Sequence, residues 1–537
     1  MELDAKHALS TIHVSMNTFP KINRLPPEVL ALIPSFLTSH KDLVLTTHVC
    51  HHWRNTIIAS PSLWSSLDNE TMHVDLLAAY MDRCGDTPLD VSFSSELVKY
   101  IPFLEKVVLH SSHIRTICFP CAPWSYIVKI SDAFDTPLPL LRDVDLKICR
   151  GASLPEFQRP FLAGATNMLS LHLFDHNAQS GTLLHFIIPT LTHLTLSFND
   201  PRIPGVGEIL ELLRTSPLIE DLQISADVLL DAPDENTVIP DRFDPVDLPN
   251  LRNIHFSWAT PRSQHTLLTH IQYPLDCSVL MQVQSGCDFT QPPQNVFPIS
   301  WDAFSLTDLS YVTLRMKREQ SSTECTVIIK KSNGGSASIS HLQDVGTFIS
   351  TDSDGDLVRD PRRDRDDDHV FSDAIALIRK LPLGWIRKFV LEDLSAEEMS
   401  RPESFKIPPA LVNLIRSDMP NLTTLSLTRT CVSELLEVLA PPPLPPLMYL
   451  ADLFYPENAP EQTTPPCPTL KILEMRHPSW VASRHCPEVL ALAQARKYEG
   501  VPFERVFFCS PSVPKNLNLG LSLYAEDIDI QRCGGCG

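Results

Sequence analysis

One phrase, L-x-x-L-x-L, constrains this chain more than any other feature, because it returns at nearly fixed spacing along most of its length. It appears as Leu141, Val144, Leu146; Met168, Leu171, Leu173; Leu191, Leu194, Leu196; Ile219, Leu222, Ile224; and Leu251, Ile254, Phe256. The starting positions lie 27, 23, 28 and 32 residues apart. It returns at Leu309, Val312, Leu314, less cleanly at Ile386, Phe389, Leu391, then at Leu422, Leu425, Leu427 and Leu470, Leu473, Met475. A recurrence of this length marks stacked supersecondary units, each too small to bury its own apolar face. Residues two apart on a strand share a side, so Leu194 and Leu196 are assigned to the core, with Thr195 and Ser197 on the open face. Helix-like stretches at 205–217 and 373–382, each ending in Pro, lie between strands.

Composition agrees with one long, well-filled architecture. The 537 residues are 43% hydrophobic and 20% charged, enough for a large core, and stacking removes the need for the three or four domains that length alone suggests. The 44 basic against 64 acidic residues give a formal charge of -20, which repels phosphate backbones and anionic lipid alike. No run approaches the roughly 18 apolar residues of a bilayer span, and Asp4, Lys6, His7, His13 and Asn17 interrupt the start of the chain. Neither a transmembrane anchor nor a secretory signal is expected. The 14 scattered Cys are expected as reduced thiols, in cytoplasm or nucleus. The 47 Pro against 17 Gly predict many short elements joined by fixed turns.

Residues 22 to 67 precede the repeats and contain three short helical patterns. Pro26 and Pro27 sit where a helix begins, since its first turn has no use for their missing donors. Val29, Leu30, Ile33 and Leu37 then follow at helical spacing, with Pro34 predicting a kink or an early end near Ile33. Asp42 is the expected N-cap of a second helix bearing Leu43, Val44 and Leu45. A third carries Val49, Cys50, Trp53 and Ile57, and Pro61 closes the run before Leu63 and Trp64. Forty-six residues hold little core, yet they display two Trp and many aliphatic side chains, an excess that a permanent partner explains. His40, His48, Cys50, His51 and His52 crowd the same window, but helix positions one or two apart do not face one point, so no metal ligand is assigned.

Leu25, Pro26, Glu28, Val29, Ile33, Leu37, Leu43, Val49, Cys50, Trp53, Arg54, Pro61, Leu63 and Trp64 make up LPxEV, VCxxWR and PxLW in order. This window resembles the F-box, in particular the F-box-like segment that opens many fungal proteins, although it covers less than a tenth of the chain. The resemblance implies a three-helix module that docks on the Skp adaptor of a cullin-RING ubiquitin ligase. Its implied adaptor-binding set is Leu25, Pro26, Val29, Leu30, Ile33, Leu37, Leu43, Val49, Cys50, Trp53, Leu63 and Trp64, divided between the adaptor and the module's own core. The downstream layout resembles the leucine-rich-repeat solenoid found behind many F-box modules, in degenerate form.

The expected fold class is therefore α/β: a small N-terminal three-helix F-box followed by an irregular leucine-rich-repeat solenoid, with parallel strands on a concave face and helices or turns outside. Residues 1–21 form an N-terminal extension, 22–67 the F-box, and 68–345 a first repeat region continuous with it through a packed junction. Asn333 and Gly334 predict an inserted β-hairpin near 326–340. Residues 346–370 are read as an acidic disordered loop. Within it Asp352, Asp354 and Asp356 mimic a calcium loop, but Arg363 stands where a Glu is needed. A second repeat region, 371–515, contains a stiff Pro-rich loop at 441–447. A flexible tail, 516–537, ends in Cys533 and Cys536, two ligands that cannot close a zinc site.

Phosphate-cradling, dinucleotide, GxSxG, HExxH and kinase motifs are all missing from the sequence, so no cofactor and no catalysis are assigned. The expected role is a non-catalytic substrate receptor of a Skp-cullin-F-box ubiquitin ligase, whose partners are the Skp adaptor, cullin through it, and a protein substrate on the repeats. Nucleic acid and membrane are excluded as partners. The alternatives are an adaptor-binding scaffold without a degradative role and an enzyme within residues 371–537.

Overall fold

The computed structural model describes chiefly residues 20–37, 39–68, 74–93, 97–134, 137–148, 164–175, 186–198, 206–226, 244–257, 267–274, 276–284, 309–318, 322–331, 336–344, 381–393, 409–428, 467–476, 482–509 and 520–531, with short pieces elsewhere. The chain divides into two units, Met1–Leu251 and Arg252–Gly537. The Pro-rich loop at 441–447, Cys533 and Cys536 lie outside the described residues, as does most of the acidic segment, of which Ser350–Thr351 pairs antiparallel with Leu357–Val358.

The first unit opens with three helices, α1 (Pro27–Ser35), α2 (His40–Thr46) and α3 (His51–Ile58), and a 3-10 turn at Pro61–Trp64. Strands and helices then alternate: β1 (Ser66–Asp68), α4 (Val74–Cys84), β2 (Leu89–Ser92), α5 (Leu97–Val108), β3 (Ile114–Ala122) and α6 (Trp124–Ala133). Next come β4 (Asp143–Ile148), β5 (Ser170–Asp175), β6 (His193–Phe198), α7 (Val206–Arg214) and β7 (Asp221–Ala226). Every strand pairs parallel with its successor. The register aligns Leu67, Val91, Ile117, Val144, Leu171, Leu194 and Leu222 in one buried row. A second buried row runs Phe119, Leu146, Leu173, Leu196 and Ile224. Each aliphatic side chain so buried contributes about 1.5–3 kcal/mol, which is why the register is fixed by the leucines.

The same backbone joint recurs where strands begin. The Arg142 carbonyl accepts the N–H groups of both Leu169 and Ser170, that of Leu169 those of Thr192 and His193, and that of Thr192 those of Glu220 and Asp221. In the second unit the Arg387, Thr423 and Lys471 carbonyls do the same for the strands that follow them. Equivalent joints at positions matched by the phrase mean that each unit docks on its predecessor in one way.

The second unit contains β8 (Asn253–Ser257), β9 (Ser278–Gln284), β10 (Leu309–Arg318), β11 (Ser322–Lys331), β12 (Ser336–Asp344) and β13 (Lys388–Asp393). They are followed by α8 (Pro409–Asn413), β14 (Thr424–Thr428), β15 (Ile472–Arg476), α9 (Ala482–Tyr498), β16 (Phe503–Cys509) and β17 (Ala525–Gln531). All nine L-x-x-L-x-L phrases coincide with strands. The expected hairpin is β11 and β12, but it is part of a larger meander: β11 pairs antiparallel with both β10 and β12. The chain skips two strand positions after β9 and folds back, so that β12 pairs parallel with β9 and β10 with β13. Among the described residues the sheet of this unit is thus parallel except for β11, so that the expected inserted hairpin is built into the sheet as the middle of a three-stranded meander. A tight turn can only reverse a strand, and a parallel neighbour needs a long crossover.

Six cysteines, Cys50, Cys84, Cys118, Cys277, Cys325 and Cys467, are free thiols. Cys121 in the first unit and Cys509 in the second are each disulfide-bonded, which departs from the expectation of reduced thiols. Both stand at or next to the C-terminal end of a strand, outside the buried rows. Cys467 is buried, with its thiol donating to the Ile415 carbonyl at 3.1 Å, and burial pushes its pKa up to about 11. Among the described residues no helix is long and apolar enough to cross a membrane.

Candidate partner-docking site

The N-terminal helices are two-sided, and the local sequence explains how. Pro27 opens α1 without a side-chain cap, and Pro34 lies one residue before the helix ends at Ser35, in line with the expected early termination. Leu30 and Pro34, four apart, are buried against the other helices, whereas Val29, Leu32 and Phe36 share the opposite stripe and are exposed. Phe36 is 84% exposed, a large apolar surface for a residue the turn holds in place. The second helix starts earlier than expected: Ser39 occupies the N-cap, without a side-chain bond, and Asp42 lies in the first turn instead. There its carboxylate still faces the positive helix end. Leu43 of α2 is buried while Leu45 is 62% exposed. Cys50 forms the N-cap of α3, so Val49 falls in the preceding turn, 61% exposed, rather than on the helix.

Two indoles fasten the module. Trp53 is 7% exposed and donates Nε1–H to Asn23 Oδ1 at 2.8 Å, tying α3 to the entry turn at Lys21–Arg24. Trp64 is fully buried and donates Nε1–H to the Ile57 carbonyl at 2.9 Å. Its ring meets the edge of Tyr80 on α4, centroids 4.8 Å apart, and the Arg83 guanidinium covers it at 4.3 Å. His40 on α2 reaches the same Tyr80, with Nδ1 and the phenol oxygen 3.3 Å apart. Burial pushes the Tyr80 hydroxyl up to about 12 and the His40 imidazole below its ordinary 6.5. The junction between the helices and the strands after them is therefore packed, as expected.

The twelve residues singled out from the sequence separate by burial. Leu30, Leu43, Trp53 and Trp64 belong to the core; Leu25, Ile33, Cys50 and Leu63 are half-buried; Pro26, Val29, Leu37 and Val49 are exposed. Sequence reasoning passed over Leu32 and Phe36 and left Leu45 of the second helix out of the adaptor-binding set, yet all three are exposed apolar side chains of the same module. The signal was there: Val29, Leu32 and Phe36 are spaced by three and four, opposite the stripe that the Leu30–Pro34 pair buries. The histidines do not converge. His48 Nδ1 accepts from Arg54 at 3.4 Å and His51 Nδ1 from Asn55 at 3.3 Å, while His40 turns to Tyr80. Among the described residues no group of three or more His, Cys, Asp or Glu is placed to hold a metal ion.

What the described residues of the module offer is exposed apolar area. Comparison with known families matches residues 22–70 to the F-box-like domain family. No curated protein matches the chain.

Proposed function

We propose that this chain is the non-catalytic substrate receptor of a Skp-cullin-F-box ubiquitin ligase, its N-terminal helices docking on the Skp adaptor and its sheets forming a degenerate leucine-rich-repeat solenoid that holds a protein substrate. The observation that carries this reading is the unpartnered apolar stripe of the F-box-like domain. Val29, Leu32, Phe36, Leu37, Leu45 and Val49 stay exposed while the module's core is already filled by Leu30, Leu43, Trp53 and Trp64. Water-exposed area of that size within one short module is a cost that association removes, at about 25 cal/mol per Å². The exposed members, with Pro26 and the half-buried Leu25, Ile33, Cys50 and Leu63, are the adaptor contacts in this reading.

The receptor acts by proximity. A substrate held on the sheets meets the ubiquitin-charged enzyme at high effective concentration, provided the link between module and sheet does not bend. The edge-on contact of Trp64 with Tyr80, covered by Arg83, supplies that stiffness within the first unit. The test is capture of the Skp adaptor on co-expression, comparing the wild-type chain with Phe36→Asp and Leu45→Asp. A one-to-one complex that either substitution weakens at least tenfold is the expected result. A folded wild-type chain that ignores the adaptor sinks the proposal.

A further inference from the structure

In the second unit a track of cations and aromatic rings crosses the sheet. Lys330 on β11 and Lys388 on β13 both approach the ring of Tyr311 on the β10 strand between them, with Nζ 5.5 and 5.8 Å from its centroid. Two strands beyond β13, Glu474 on β15 accepts from Lys388 at 3.0 Å and from Arg476 at 3.5 Å. The Arg476 guanidinium lies 5.2 Å over Phe507 of β16. Alongside, Arg315 of β10 pairs with Glu392 of β13 at 2.8 Å.

From β10 to β15, among the described residues, these four cations share two carboxylates, a balance of 4 − 2 = +2 in a chain of formal charge -20; at the far edge Arg505 of β16 is taken up by Asp527 and Asp529 of β17, at 3.5 and 2.7 Å. Among the described residues the first unit's sheet has the opposite balance: Asp90, Asp143, Asp145 and Asp221 stand in its polar rows with Lys147, His172 and His193, while Arg115 reaches Asp90 from the register shift between β2 and β3. Lys330 is exposed, and the side chains of Arg476 and Arg315 are 55% and 41% exposed. The rings hold the cationic side chains in position, so a ligand has less side-chain entropy to freeze.

We propose that this track docks an extended acidic segment of a partner protein, lying across the strands with its carboxylates on Lys330, Lys388 and Arg476 and its apolar side chains on Tyr311 and Phe507. Charge complementarity selects that occupant: a positive strip on an otherwise acidic chain repels basic segments and attracts acidic ones. From β11 to β16 is five strand spacings, about 24 Å, which an extended peptide spans in about seven residues. The inference rests on the receptor reading, and it names the class of substrate.

The experiment uses the full-length chain and a fluorescein-labelled peptide of alternating Glu and Leu, about ten residues long, read by fluorescence anisotropy. Expected is binding that weakens as salt rises, no binding of the matching Lys-Leu peptide, and a loss of roughly tenfold in the Lys330→Glu, Arg476→Glu double variant. The neutral Lys330→Gln, Arg476→Gln pair keeps the test valid if the reversed charges impair folding, and Lys147→Glu in the other unit serves as control. Salt-independent binding, or equal binding by the wild-type chain and a folded track variant, overturns the proposal. Adaptor capture measured on the same samples separates the two readings: a track that fails while capture persists leaves the F-box role standing.

Discussion

At the scale of single residues, burial divides side chains that look alike in the sequence. Trp53 and Phe36 are both large aromatics in the F-box-like domain, yet one is 7% and the other 84% exposed. Trp53→Ala removes a packed ring and the bond to Asn23, so it should cost about 3–5 kcal/mol and lose the fold of the module before it loses anything else. Arg496 is the other decisive residue. It is 1% exposed on α9, donates from Nη2 to the Leu470 carbonyl at 2.7 Å, and lies 4.9 Å over Phe503. Arg496→Ala strands that carbonyl and opens a cavity between α9 and β16, and should cost about 2–4 kcal/mol. Urea unfolding followed by circular dichroism measures both, and a change within ~0.5 kcal/mol for either would contradict its assigned role.

At the scale of elements, the joint of α2 with α4 makes stability depend on pH. Burial lowers the His40 pKa, with Asp68 opposing it less strongly, so the fold favours the neutral imidazole beside Tyr80. Protons then bind the unfolded chain more readily than the folded one. The stabilisation is complete above about pH 6.5 and is lost as pH falls from there through the folded-state value. Asp68 is the carboxylate that acts on His40, and it opposes the effect of burial. Thermal melts should show a fall in Tm on acidification below pH 6.5 that is smaller in His40→Gln; equal pH slopes in the two proteins would remove this joint as a cause. The β10–β12 meander is the other element-level feature, and only its last hairpin was legible from Asn333 and Gly334. Nothing local in β10 announces that its neighbour in the sheet comes from later in the chain.

At the scale of the whole molecule, the balance of exposed surface governs behaviour. A chain of charge -20 resists self-association by repulsion, but the apolar stripe of the N-terminal helices is a liability until covered. Co-expression with the Skp adaptor is expected to raise the soluble yield of the wild-type chain. Phe36→Asp should raise the yield without the adaptor and lose the benefit with it. A yield that does not respond to the adaptor in either form would mean that the stripe is covered in some other way.

What the sequence determined by itself is the periodic part. The L-x-x-L-x-L phrases located nine strands because leucines two apart must share a face and because equal spacing forces equal joints. Proline at 27 and 34 bounded α1 for the same local reason, the missing donor. The three strands β1 to β3 were missed because Leu67, Val91 and Ile117 keep the buried register without repeating the phrase. What only the tertiary structure decided is which apolar residues are core and which are surface, since Val29 and Leu30 are neighbours in sequence on opposite sides of one helix. It also decided the reversed strand β11 and the convergence of Lys330, Lys388 and Arg476 on two rings, from positions up to 146 residues apart in Lys330 and Arg476. Such contacts depend on strand order, and strand order is a property of the assembled sheet.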